Sequence, residues 1–165
     1  MNFFYPHYRF GSIVEISFEW LKEQGLSTLL LDVDSTLKYY SSPQILPEVA
    51  DWIDQQSACG IRFCLLSNGR QHRIRKTADM LKLPYLAPAY KPLPFGCKKA
   101  MRQEHFEPLQ TALIGDQVFA DVLAANLAGI RSILVAPLRP EEEPFFARMK
   151  RPLERLVLSS YERNR

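Results

Sequence analysis

Five short apolar runs, each closing on a polar residue or a proline turn, limit the folds open to this chain: TLLLD (28–32), IRFCLLS (61–67), YLAPAY (85–90), TALIGD (111–116) and SILVAP (132–137). Apolar runs of this length without alternation suit strands buried on both faces, as in a parallel sheet. Helical signals fill the intervals. Pro47 opens a helix through Val49, Trp52 and Ile53 that stops at Gly60, and a second spans about Gln71 to Leu81. Pro94 to Phe106 reads as a third, Val118 to Leu127 with Gly129 as its stop as a fourth, and a last helix starts near Pro144. Upstream, Ser12-Ile-Val-Glu15 has the form of a capping box opening a helix to about Gln24, with Ile13, Ile16, Trp20 and Leu21 on its apolar face.

Strand and helix in alternation with short connections imply right-handed crossovers, hence a doubly wound (Rossmann-like) α/β domain with about five parallel strands. At 165 residues the chain is expected to form one domain, with an aromatic arm at 1–12 and a basic helix within 138–165. In sheets of this kind ligands bind beyond the carboxyl ends of the strands, where strand order reverses.

Those ends carry reactive side chains. Asp32 closes the first run and Asp34 follows; the second ends in Ser67-Asn68-Gly69; Lys91 follows the third; and Gly115-Asp116 closes the fourth, with Asp121 five residues on. A carboxylate can accept a phosphoryl group and divide one difficult step into two. Several hard oxygen ligands suit Mg²⁺, and a lysine and a hydroxyl can hold the phosphoryl oxygens. Acids gathered this closely would repel without a metal. The set therefore points to metal-assisted phosphoryl transfer.

DVDST (32–36), Ser67, Lys91 and GDQVFAD (115–121) together resemble the four motifs of the haloacid dehalogenase superfamily of phosphatases, in the same order and on the same elements. A closer resemblance is to its YqeG-type subfamily, which includes phosphatidylglycerophosphate phosphatases, carried by YKPLPFGCKKAM (90–101) and GDQVFADVLAANLAGI (115–130). The resemblance implies Asp32 as nucleophile, Asp34 as general acid and base, and Lys91 as the balancing cation. It further implies Mg²⁺ held by Asp32, Asp34, Asp116 and Asp121, and phosphate held by Thr36, Ser67 and Asn68. The superfamily's dehalogenases lack the second acid, so Asp34 favours a phosphatase. A raised pKa on Asp34 would suit its role. Arg70, Arg73, Arg75 and Lys76 could draw an anionic substrate inward or form an ordinary solvated face.

The intervals from Asp34 to Ser67 and from Ser67 to Lys91 are too short for an inserted cap domain, so an open site is expected. An open site suits a phosphomonoester that brings its own bulk. The subfamily resemblance makes the lipid headgroup of phosphatidylglycerophosphate the leading substrate, with sugar phosphates, phosphoproteins or polynucleotide ends as alternatives and a non-catalytic phosphate-binding module behind them. The tail carries Phe145, Phe146, Met149, Leu153, Leu156 and Val157 at near-helical spacing among basic residues. It could lie on an anionic membrane or pack that stripe on the sheet.

A net charge of +3 does not announce a nucleic-acid partner. Three cysteines without a CxxC pair fit free thiols, and neither a signal peptide nor a spanning segment is evident. A cytoplasmic or organellar-matrix protein, not secreted and at most peripheral to a membrane, is expected. Oligomeric state is left open.

Overall fold

Leu29 and Leu31 point into one apolar layer and Leu30 into the other, and all three are fully shielded from water. Strands that must be apolar on both faces sit inside a sheet, and this one does. The computed structural model describes residues 2–163. Its strands are β1 (Tyr8–Phe10), β2 (Thr28–Leu31), β3 (Arg62–Leu66), β4 (Tyr85–Leu86), β5 (Thr111–Gly115) and β6 (Arg131–Val135). They form one all-parallel sheet in the order β1-β6-β5-β2-β3-β4.

The helices are α1 (Phe18–Glu23), α2 (Pro47–Ala58), α3 (Gln71–Leu81), α4 (Phe95–Glu104), α5 (Leu123–Ala128) and α6 (Phe145–Arg163). Leu21, Trp52, Ile53 and Ile74 bring α1, α2 and α3 onto the face that holds Leu29 and Leu31. Cys97, Ala100, Met101, Ala124 and Ala125 bring α4 and α5 onto the face that holds Leu30. The sheet is thus doubly wound. From β2 the chain steps outward through β3 to β4, then returns to β5 on the other side of β2. Strand order reverses between β2 and β5, which pair in register from Thr28 opposite Thr111 to Leu31 opposite Ile114. No inserted domain interrupts this layout among the described residues.

Three sequence expectations change. The sheet has six strands, because the arm supplies β1: Tyr8 and Phe10 pack edge-on against Trp20, with ring centroids 4.8 and 4.9 Å away. The helix expected over 12–24 breaks in two. Ser12 caps only a short turn (Ile13–Glu15), and Ser17 caps α1 afresh through the Trp20 amide. Glu15 reaches back to the Gly11 amide at 3.0 Å rather than to its cap residue. The helix expected from Val118 begins as a wide turn (Val118–Val122), in which the Asp121 and Val122 amides both donate to Gln117.

Of the two placements the sequence left open for the apolar stripe of α6, packing on the sheet is not adopted: the stripe faces solvent. Phe145, Phe146, Met149, Leu153 and Leu156 are exposed, and only Val157 of the predicted set is half-buried against Val118 and Val122. Cys59, Cys64 and Cys97 are free thiols, the last two buried. No helix is long and apolar enough to cross a membrane among the described residues.

Candidate active site

Register in the sheet centre brings the ends of β2 and β5 together. The Asp32 amide donates to Ile114 O at 2.9 Å, so Asp32 lies beside Gly115-Asp116. The wide turn then folds Asp121 back over Gly115: a Cβ at position 115 would lie 2.2 Å from Asp121 Cγ, so only glycine fits under that carboxylate. Asp121 is fixed by the Gln117 amide at 3.0 Å. One oxygen from each of Asp32, Asp116 and Asp121 lies within 4.8 Å of the others, all three acids being buried.

Lys91 closes the cluster. Its Nζ donates to Asp32 Oδ1 and Asp121 Oδ1, both at 2.6 Å, and to Leu66 O at 2.8 Å. Asn68 holds the lysine's backbone in both directions, donating to Lys91 O at 2.7 Å and accepting from Lys91 N at 2.8 Å. The side chain expected on phosphate is therefore occupied in positioning the cation. Thr36 is likewise turned to the acids, its hydroxyl donating to Asp116 Oδ1 at 3.0 Å. Ser67 lines the crevice and accepts from the Gly69 amide at 3.0 Å, which leaves its proton free for an incoming oxygen.

Asp34 stands apart from the three acids. Arg73 grips it with both arms of its guanidinium, at 2.7 and 2.6 Å, and Lys38, wholly buried, pairs with it at 2.9 Å. Burial alone would raise the Asp34 carboxyl, but hydrogen bonds from Arg73 and Lys38 outweigh it and hold the group below the usual carboxylate range. The raised value expected of a resting general acid is not found. The physical reason is the pair of cations that sequence spacing did not connect to it.

Arg151 comes from α6 and was unforeseen among the tail's basic residues. It donates to Asp116 O at 2.7 Å, pairs with Asp116 Oδ2 and Glu143, and reaches Glu154 at 3.1 Å. Five carboxylates, those of Asp32, Asp116, Asp121, Glu143 and Glu154, thus surround two cations, Lys91 and Arg151. Burial, opposed by Lys91, pushes Asp32 well up, and burial with the charge of Asp121 pushes Asp116 to about 6. Excess negative charge in a dry site with hard oxygen donors fits a divalent cation.

Uptake of a divalent cation by this cluster is expected to weaken as pH falls, because burial raises Asp32 and Asp116 alike and protons then compete for their oxygens. Calorimetric titration with Mg²⁺ at pH 7, 6 and 5 measures this; a flat affinity would contradict it.

The crevice over the acids has a volume of about 220 Å³, bordered by Tyr40, Asn68, Gly69, Arg73, Pro144 and Ala147. Ala147, in the first turn of α6, belongs to that border, so a helix rather than an inserted domain stands at the edge of the crevice. A larger hollow of about 700 Å³ lies beneath α6 and touches Asp116 and Arg151 from behind. We assign the chemistry to the smaller space, where Asp32, Asp34, Ser67 and Lys91 converge. Ser35 also faces it, with an Oγ that has no partner among the described residues.

Residues 7–129 match the family model of haloacid dehalogenase-like hydrolases. The chain belongs to that family. "Probable phosphatase YqeG" of Bacillus subtilis is 30% identical over 162 residues, which cover 98% of this chain and 94% of that protein. "Phosphatidylglycerophosphate phosphatase 1, chloroplastic/mitochondrial" of Arabidopsis thaliana is 26% identical over 180 residues, 98% of this chain but 49% of that longer protein. Among solved structures, the cobalt-bound deoxy-D-mannose-octulosonate 8-phosphate phosphatase YrbI of Haemophilus influenzae aligns with a TM-score of 0.56 at 19% identity, covering 71% of this chain and 82% of that one. An uncharacterized Listeria monocytogenes protein gives the same TM-score at 17% identity, covering 72% and 85%. The haloacid dehalogenase-like fold and a phosphatase activity accord with the acid cluster at the β2/β5 reversal.

Proposed function

We propose that the chain is an Mg²⁺-dependent phosphomonoesterase working through an aspartyl-phosphate, with residues 1–165 forming one catalytic domain. The observation that carries this reading is the Asp32 carboxylate at the end of the central strand, 2.6 Å from Lys91 Nζ, with oxygens of Asp116 and Asp121 gathered beside it. A strand end fixed by ladder hydrogen bonds can aim a nucleophile without freezing a loop at each turnover.

An Asp32 oxygen attacks phosphorus as the bond to the substrate's alkoxide breaks, and Asp34 gives that alkoxide a proton. Asp34 then takes a proton from the water that attacks the aspartyl-phosphate, which restores Asp32 and frees inorganic phosphate. In the resting geometry Arg73 and Lys38 keep Asp34 ionised. A substrate phosphate that draws the Arg73 fork to itself would let Asp34 take up the proton it must deliver. Lys91 balances the charge of nucleophile and phosphoryl group, and the Ser67 hydroxyl donates to a phosphoryl oxygen. Asp32, Asp116 and Asp121 would hold Mg²⁺, with the Asp34 backbone adding a further oxygen. That ion supplies neutralising charge between the acids and the phosphate.

The substrate best supported is phosphatidylglycerophosphate. It is named in the Arabidopsis relative, and the headgroup phosphate would enter a crevice with no inserted domain over it. The enzyme would then work at a membrane surface from the cytoplasm or an organellar matrix. Phosphate release from phosphatidylglycerophosphate in detergent micelles, with sugar phosphates alongside, tests the assignment. The lipid should turn over faster by at least tenfold, and EDTA should stop the reaction until Mg²⁺ is restored. Faster turnover of the sugar phosphates would transfer the assignment to a soluble phosphomonoester.

A further inference from the structure

An amphipathic helix at a domain surface ordinarily turns its apolar stripe inward, and α6 does the reverse. Phe146, Met149, Leu153 and Leu156 succeed one another at steps of three and four residues, and all are 57–78% exposed. The side facing the domain instead carries Arg151 and Glu154, tied to Asp116 and to the Phe119 amide, with Val157 and Leu158 beyond them. That side seats the helix through an ion cluster beside a hollow, with a short apolar contact of Val157 and Leu158 on Val118, Val122 and Leu134. The outer stripe contributes nothing to holding α6 in place.

Charge frames the stripe. At 100° per residue, Lys150 falls on one flank, and Arg148 and Arg155 fall on the other, where they border a groove with Glu141 and Arg155 also reaches the hollow; none of the three has an ion-pair partner among the described residues. The helix's own acids face elsewhere: Glu154 is buried against Arg151, and Glu162 pairs with Arg9. An exposed apolar strip between two cationic margins complements an anionic lipid surface, where acyl chains accept the strip and headgroups the margins. A second copy fits poorly. A two-fold contact would set uncompensated cations against cations. Pro144, just before α6, and Ala147, in its first turn, border the crevice.

We infer that the outer face of α6 is a docking surface for an anionic phospholipid bilayer, which sets the mouth of the crevice against the headgroups. The inference concerns where the protein binds and holds whether or not its substrate is a lipid. Attachment through Arg151 and Asp116 makes the membrane-bound helix continuous with the acid cluster.

Sedimentation with vesicles of phosphatidylcholine containing about one-third phosphatidylglycerol tests it, against vesicles of phosphatidylcholine alone. The full chain should favour the anionic vesicles by about tenfold or more, and the preference should shrink at high salt. Met149→Glu with Leu153→Glu should cut that binding by about tenfold or more. Both side chains are exposed and lie outside the crevice, so the thermal midpoint and the turnover of para-nitrophenyl phosphate should be unchanged. Arg148→Gln with Lys150→Gln and Arg155→Gln should remove the anionic preference while leaving the same two controls intact. Equal binding of wild type and the glutamate variant, or no binding by wild type, would overturn the inference. So would a dimer in analytical ultracentrifugation that the glutamate variant dissolves, since the stripe would then belong to a second copy. Turnover in detergent micelles is scored separately, so failure of the lipid substrate and failure of the docking surface give different results.

Discussion

Asp32→Asn is expected to lower phosphate release by about 10⁴-fold or more while leaving the protein folded, with a thermal midpoint equal to or above that of the wild type. The two halves of that result have one cause. Asp32 is buried, and burial holds its carboxyl well above the usual range against the opposing charge of Lys91. A carboxyl whose folded pKa exceeds its unfolded value favours folding less and less as pH rises through the folded value. At neutral pH without metal this raised carboxyl therefore burdens the fold, and asparagine removes the burden. Lys91 Nζ keeps Asp121 Oδ1 and Leu66 O as partners, and the asparagine carbonyl can take the place of Asp32 Oδ1. What asparagine cannot do is form the acyl-phosphate. Phosphate release from para-nitrophenyl phosphate, mass spectrometry of trapped intermediate and calorimetry on one preparation decide the matter. Near-normal turnover by Asp32→Asn would end the covalent scheme.

Lys91→Met should fail on both counts. The lysine is fully buried and touches Asp32, Asp121 and a strand-end carbonyl at once. Burial alone would lower its ammonium, but the charges of Asp121 and Asp32 more than reverse that and keep it protonated. Methionine fills similar volume yet leaves Asp32 and Asp121 without their shared cation. Removing one partner from a buried ion cluster costs roughly 3–5 kcal/mol. Turnover should fall on the order of 10²- to 10³-fold, as when one preorganised electrostatic donor is lost. Saturating Mg²⁺ should recover much of the stability, because the ion replaces the missing charge, but not the turnover. Lys91→Arg should not rescue activity either: a planar fork cannot place one nitrogen against three acceptors in three directions. Denaturant unfolding with and without Mg²⁺ separates the two effects, and a variant as stable as wild type without metal would refute this account of the cluster.

Much of the site was legible because its residues close strands. An apolar run has a definite end, and Asp32, Ser67 and Asp116 sit at such ends, so sequence order plus the rule of the carboxyl edge brings them together. Lys91 was legible for a related reason, lying just past the weak third run. Asp121 was harder. Its position over Gly115 depends on a wide helical turn that periodicity does not distinguish from an ordinary first turn. Asn68 and Thr36 show a further limit: their types fit phosphate contacts, and only the fold shows that each also hydrogen-bonds a neighbouring group of the site.

Arg73 and Arg151 could not be placed by reading along the chain. Arg73 lies 39 residues from Asp34, and Arg151 lies 35 from Asp116. Each has neighbours of similar type that point to water. Nothing in the tail's composition separates Arg151 from its other basic residues, whereas in the fold it enters the acid cluster.

The sequence by itself determined the doubly wound sheet and the carboxylates at its central edge, since buried strands demand apolar runs and such runs leave their polar ends at one rim. Only the tertiary structure decided which cations meet those carboxylates and which face of α6 meets water. Both depend on contacts between segments far apart in the chain, where the energy of burying or pairing a charge overrides any local pattern.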